Sequence, residues 1–143
     1  MGKQYTLKVY PAGMSRTAYR VIQISGKETL DRLCSVIISS FDFIDEHLYE
    51  FCMDNRMYSD CSFQADPEYG EMSTKIVLEK LHLEKGQNFS LHYDFGDDWM
   101  FTIHVQKIEE EEKRNAPVVL KAKGEIQQYP SWDDGDEDDE EWK

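Results

Sequence analysis

The chain has 143 residues, 40% of them hydrophobic and 13% aromatic, with 16 basic and 29 acidic side chains and a formal charge of −13. This length predicts one domain with a sizeable core, and no apolar run approaches the ~18 residues of a membrane span. The charge balance argues against the basic footprint by which proteins hold nucleic acid directly. Met1 leads straight into a strand pattern, with no basic-then-apolar leader before it. Cys34, Cys52 and Cys61 are odd in number and form no C-x-x-C pair, which points to free thiols in a reducing, cytoplasmic setting.

Tyr5, Leu7 and Val9 alternate with Thr6, Lys8 and Tyr10, predicting a first strand that ends at Pro11-Ala12-Gly13. Tyr19 to Ile24 predicts a second, broken by Ser25-Gly26-Lys27. Leu30, Leu33, Cys34, Ile37, Ile38 and Phe41 then fall on one face of an amphipathic helix. Thr29 is its expected N-cap, and Asp31 is well placed at the positive end of the helix dipole. Cys34, on the apolar face, reads as a buried, inert thiol.

A connection over Phe41–Glu46 leads to a strand over His47–Met53, followed by an irregular stretch at 54–73. A loop of that length is often functional. Thr74–Leu83 fits either a strand or a short helix, and Ala116–Lys123 predicts a last strand. The fold class expected is α+β, a mainly antiparallel sheet with one principal helix packed on it.

The strongest local signal is the hairpin around Tyr93-Asp94-Phe95-Gly96-Asp97-Asp98-Trp99. One arm points Phe89, Leu91, Tyr93 and Phe95 to one face; the other points Trp99, Phe101, Ile103 and Val105. A three-residue turn at Gly96–Asp98 aligns the two apolar faces and pairs Phe95 with Trp99, Tyr93 with Phe101 and Leu91 with Ile103. The turn residues tolerate positive φ, with Gly96 the expected site of it. In this register His92 and His104 are diagonal neighbours on the other face, beside Asp94, so a metal pair is conceivable there; without supporting ligand spacing, neither metal nor cofactor is expected.

On these segments the chain resembles the plasmid pRiA ORF-three-like family. The shared features are the strand Tyr5-Thr6-Leu7-Lys8-Val9, the helix opening at Thr29-Leu30, the motif His47-Leu48-Tyr49-Glu50-Phe51, and Tyr93 to Trp99. They occur in the family's order and span roughly residues 4–130. Two departures are plain: Phe101 stands where the family usually has a histidine, and no Pro-Pro-Glu-Asp-Cys-Gly-Gly-like segment closes the chain. The resemblance implies no established activity, although some relatives carry labels tied to recombination or repression.

The expected organisation is a single domain over 1–130 and an acidic, disordered tail over 131–143. Ser131–Lys143 holds eight acids and one lysine. The tail reads as a solvated segment, with a lure for a basic partner, or a nucleic-acid mimic, as the sharper alternative.

Candidate binding residues are His47, Tyr93, Asp94, Asp97, Asp98 and Trp99. No nucleophile elbow, phosphate loop or dinucleotide fingerprint is present. The leading functional expectation is a non-catalytic protein-interaction module with an unknown protein partner that could be basic. The alternatives are an accessory factor in DNA transactions, implied by the labels on relatives, and an enzyme using His47 and Asp94 on a small substrate.

Overall fold

A computed structural model describes residues 2–44, 47–57, 62–64 and 73–126. The expected tail over 131–143, Cys61 and most of the 54–73 stretch lie outside these residues. Seven strands form one sheet: β1 (Gly2–Pro11), β2 (Tyr19–Ser25), β3 (Tyr49–Cys52), β4 (Ser62–Gln64), β5 (Asn88–Tyr93), β6 (Trp99–Glu111) and β7 (Val118–Lys123). Their order is β4-β3-β5-β6-β1-β2-β7, with every neighbouring pair antiparallel. The one α-helix among the described residues, α1 (Leu30–Ser40), packs on one face, so the α+β reading holds.

Helix α1 forms where the periodicity places it. Thr29 is extended, and its hydroxyl accepts from the Arg32 amide at 3.1 Å, satisfying one of the orphan donors of the first turn. Leu30, Leu33, Cys34, Ile37 and Ile38 are all buried. They meet Leu7, Val9, Ile22 and Ile24 of β1 and β2 and Leu91, Phe101 and Ile103 of the hairpin in one core. At the far end, the Arg20 guanidinium donates to the Ser40 and Lys123 carbonyls, at 2.8 and 2.9 Å, and lies over the Phe41 ring. One side chain thereby joins the end of α1 to the end of β7. Just beyond, Gly124 has φ +73, and a Cβ there would come within 2.1 Å of the Thr17 carbonyl oxygen; only glycine fits.

Several boundaries differ from expectation. The third strand is shorter than His47–Met53, because His47 and Leu48 are drawn toward the β5–β6 turn. Thr74–Leu83 resolves into a 3-10 turn over Leu78–Leu81, stopped by His82 in the left-handed conformation. Within the irregular stretch, Ser62–Gln64 pairs with β3 as an edge strand.

The hairpin register is also corrected. Tyr93 pairs with Trp99, Leu91 with Phe101 and Phe89 with Ile103, two residues from the expected alignment. Five residues, Asp94 to Asp98, form the connection. Phe95, expected on the apolar face opposite Trp99, falls in the turn and lies against His92. A two-residue shift keeps every strand side chain on its face, so the apolar pattern cannot distinguish the two registers. Local hydrogen bonds decide instead: the Asp94 amide donates to the Leu48 carbonyl, and the amides of Asp97 and Asp98 both donate to the Asp94 carbonyl. Positive φ falls on Asp94 (66°) and Asp98 (54°), not on Gly96.

Leu33 is fully buried at the centre of the helix–sheet contact. Leu33→Ala should cost ~2–5 kcal/mol in urea unfolding, from lost burial and the residual cavity. A loss below about 0.5 kcal/mol would place this helix face outside the core.

Candidate functional site

The face of the sheet opposite α1 carries an unusual polar chain. Glu50 on β3 and His92 on β5 are neighbours across the ladder, and both side chains are fully buried. Glu50 Oε2 lies 2.7 Å from His92 Nδ1, while Oε1 accepts from Gln64 Nε2 on β4 at 2.9 Å. His92 Nε2 lies 2.6 Å from Asp98 Oδ1 in the turn. Phe95 covers the imidazole at 4.9 Å between ring centroids. Ionised carboxylates only accept hydrogen bonds, so each of the two short contacts at His92 needs a proton between its partners. The two contacts join Glu50, His92 and Asp98 into one set. Only its Asp98 end meets solvent, with that side chain 44% exposed.

The turn is held from above as well. Asp94 Oδ1 accepts from the amides of Gly96 and Asp97, the bonding expected of an aspartate that opens a turn. Its Oδ2 lies 3.6 Å from His47 Nε2. The Tyr93 hydroxyl donates to the Ile44 carbonyl, and the Tyr93 ring meets His47 edge-on at 5.8 Å. Of the residues singled out in the sequence, His47, Tyr93 and Asp94 thus converge, and Asp98 is bound to His92 beneath them. Asp97 is exposed at the tip. Trp99 goes elsewhere, packing edge-on against Phe43 at 4.9 Å and stacking with Phe101 at 6.1 Å.

Sequence reasoning did not single out Glu50 or His92 as a pair. The available signal was Glu50 itself, an acid between Tyr49 and Phe51 in an otherwise apolar strand. The conceivable His92/His104 pair does not form: His92 stands opposite Met100, and His104 opposite Asn88, to which its Nδ1 is 2.6 Å distant. Among the described residues, no three His, Cys, Asp or Glu side chains are arranged to hold a metal ion.

A second, part-buried polar group lies on the helix side. Asp31 accepts from the Tyr49 hydroxyl at 2.5 Å and from the Thr74 hydroxyl. Burial first, and then the Asp31 contact, push the Tyr49 phenol well above its ordinary range, so it remains a proton donor to Asp31. This group anchors the start of α1, where the amides of Leu30 and Asp31 also donate to the carbonyls of Ile76 and Thr74. Cys52, beside Glu50, is buried, and desolvation followed by the nearby carboxylate pushes its thiol up to about 12.

Two outcomes follow. Asp98→Ala should cost about 1–2 kcal/mol in urea unfolding, since a charged hydrogen bond is lost from a partly solvated position and alanine tolerates the left-handed φ poorly. Asp97→Ala, at the exposed tip, should stay within about 0.5 kcal/mol of wild type. Equal effects would dissociate the His92–Asp98 contact from turn stability. Cys52, uncharged at any physiological pH, should resist alkylation at pH 8 in the folded protein and react once urea unfolds it.

Comparison with known proteins agrees with this architecture. The family profile described as plasmid pRiA4b ORF-3-like protein matches residues 3–131. No curated protein matches the chain. Among solved structures, a crystal structure of a protein of unknown function from Methanosarcina mazei Go1 is similar, with a TM-score of 0.67 and 26% identity. The similarity covers 85% of this chain and 70% of the other. With the profile spanning nearly the whole chain, this protein belongs to the plasmid pRiA4b ORF-3-like family.

Proposed function

We propose that this protein is a non-catalytic interaction module whose docking surface is the Tyr93–Trp99 turn. The observation that carries this reading is the pairing of rigidity below with exposed apolar side chains beside. Asp98 is tied to a buried histidine, and Asp94 is committed to the turn amides. Ile44 and Leu48 are 49% and 58% exposed, and the carbonyl of each is bound to the hairpin, by the Tyr93 hydroxyl and the Asp94 amide. An acidic tip flanked by two fixed aliphatic side chains suits a basic partner segment that also carries an apolar anchor.

Because the turn over 94–98 is already held, ordering it on binding costs little. The acidic residues at 133–141 would add steering toward a basic partner. The buried thiols of Cys34 and Cys52 fit a cytoplasmic setting. Enzymatic use of His47 and Asp94 is the weaker reading, because their 3.6 Å separation exceeds hydrogen-bonding distance and Asp94 already serves the turn. An accessory role in DNA transactions is the other alternative, and the acidic turn itself offers nothing to a phosphate backbone.

The test is affinity capture from native lysate with the full chain and with a Leu48→Ser/Asp97→Lys variant. A partner retained by wild type and depleted at least about tenfold with the variant, while circular dichroism stays unchanged, is the expected outcome. Identical protein sets from the two baits would refute this surface as the docking site.

A further inference from the structure

The chain carries 29 acids against 16 bases, and some of its basic side chains, Lys27, Arg56, Lys107 and Arg114 among them, are paired with carboxylates. Lys8, Lys121 and Lys123 form no ion pair among the described residues, yet they gather around one aromatic ring. Lys8 Nζ lies 4.6 Å from the Tyr19 ring centroid, and Lys121 Nζ 5.8 Å from it. Lys123 stands directly opposite Tyr19 in the β2–β7 ladder. Tyr10 continues the surface on β1, where Lys8 Nζ is 5.6 Å from its ring.

These side chains occupy the sheet face opposite α1, since they alternate with the core residues Leu7, Val9, Ile22 and Ile24. Toward β6 and β5, the same face opens into a groove of about 670 Å³, lined by Tyr10, Met100, Thr102, Ser90 and Asn88, with Asn55 and Met57 alongside. The surface thus offers positive charge, two neighbouring π faces and a polar groove. Tyr19 lies two strands beyond β6, roughly 10 Å from the edge of the hairpin, so this surface is distinct from the acidic turn.

We propose that this face binds single-stranded nucleic acid. Swung off the rings they now cover, the lysines meet successive phosphates and leave Tyr19 and Tyr10 to stack against bases. The Thr102 hydroxyl and the Asn88 amide meet base edges in the groove, while Ser90 stays buried, donating to Asn55. An acidic peptide would draw the lysines off the two tyrosine rings and put no flat group in their place. The net charge of −13 weakens the attraction without removing it, because charges farther away than about 8–10 Å are largely screened at moderate salt. The expectation from overall charge therefore gives way to a local one: binding is weak, confined to one face and strongly dependent on salt.

Fluorescence anisotropy of the full chain with a labelled single-stranded oligothymidylate tests this directly. Three phosphate contacts predict a roughly 20-fold loss of affinity between about 50 and 200 mM salt. Lys8→Glu/Lys121→Glu should weaken binding at least about tenfold, and Tyr19→Ala about fivefold or more. Lys75→Ala, an exposed lysine away from this face, should bind as wild type does. If the charge reversal perturbs folding by circular dichroism, Lys121→Ala/Lys123→Ala on the exposed strand replaces it, with a smaller loss of the same sign. Absence of binding at low salt, or equal binding by these variants, would overturn the proposal. Displacement by polyglutamate as effective as that by unlabelled oligothymidylate, at matched charge, would overturn it in favour of an acidic protein ligand.

Discussion

The contact between Glu50 and His92 is the constraint on which the far side of the sheet depends. A carboxylate with no exposure to water is tolerated only with full compensation, since removing one partner from such a pair typically costs 3–5 kcal/mol. Here the compensation is divided among strands: Gln64 on β4 and His92 on β5 serve the two oxygens of Glu50 on β3. The same imidazole then reaches Asp98 in the loop after β5. One polar chain thus spans three strands and the turn beyond them. Any slip of β5 against β3 would separate His92 from Glu50, so the pair specifies register where apolar packing tolerates a shift of two residues.

That chain links the core to the surface. The turn over 94–98 presents carboxylates whose positions follow from contacts inside the molecule: Asp98 from His92, Asp94 from the turn amides and His47. Strain is present too, in the left-handed φ of both aspartates, which the surrounding bonds maintain. A loop so fully committed keeps a single shape, which suits recognition better than induced closure. On the other half of the sheet, α1 and Arg20 hold β2 and β7 together, and Tyr19 with its lysines lies on the reverse of that contact. The acidic turn and the basic face are therefore separate surfaces of one rigid sheet.

Much of the architecture is legible in the sequence because it rests on periodicity. The spacing of Leu30, Leu33, Cys34, Ile37 and Ile38, with Thr29 ahead of them, predicts α1 and its buried face. Alternation around Tyr5–Val9 and Phe89–Tyr93 predicts β1 and β5. What periodicity of two cannot supply is the choice between registers two residues apart, which is why Tyr93 was expected opposite Phe101 and lies opposite Trp99. The candidate site was legible at the turn and at His47. Its foundation was not, because the partnership of Glu50 with His92 joins strands 42 positions apart, and no local pattern reports such a contact. The basic face was hidden by the same cause: Lys8, Tyr19 and Lys121 are dispersed in an acidic chain and meet only through the β1–β2–β7 pairings.

The coupling between Glu50 and His92 is measured most directly by a double-mutant cycle in urea, using Glu50→Leu, His92→Leu and the combined variant. A buried, mutually dependent pair predicts a loss of about 3–5 kcal/mol for each single substitution, because each leaves its partner buried and unsatisfied. The combined variant should then lose far less than the sum of the two. Losses that add within about 0.5 kcal/mol would show that the two residues act independently, and the polar chain would no longer account for the register of β5 or the shape of the turn.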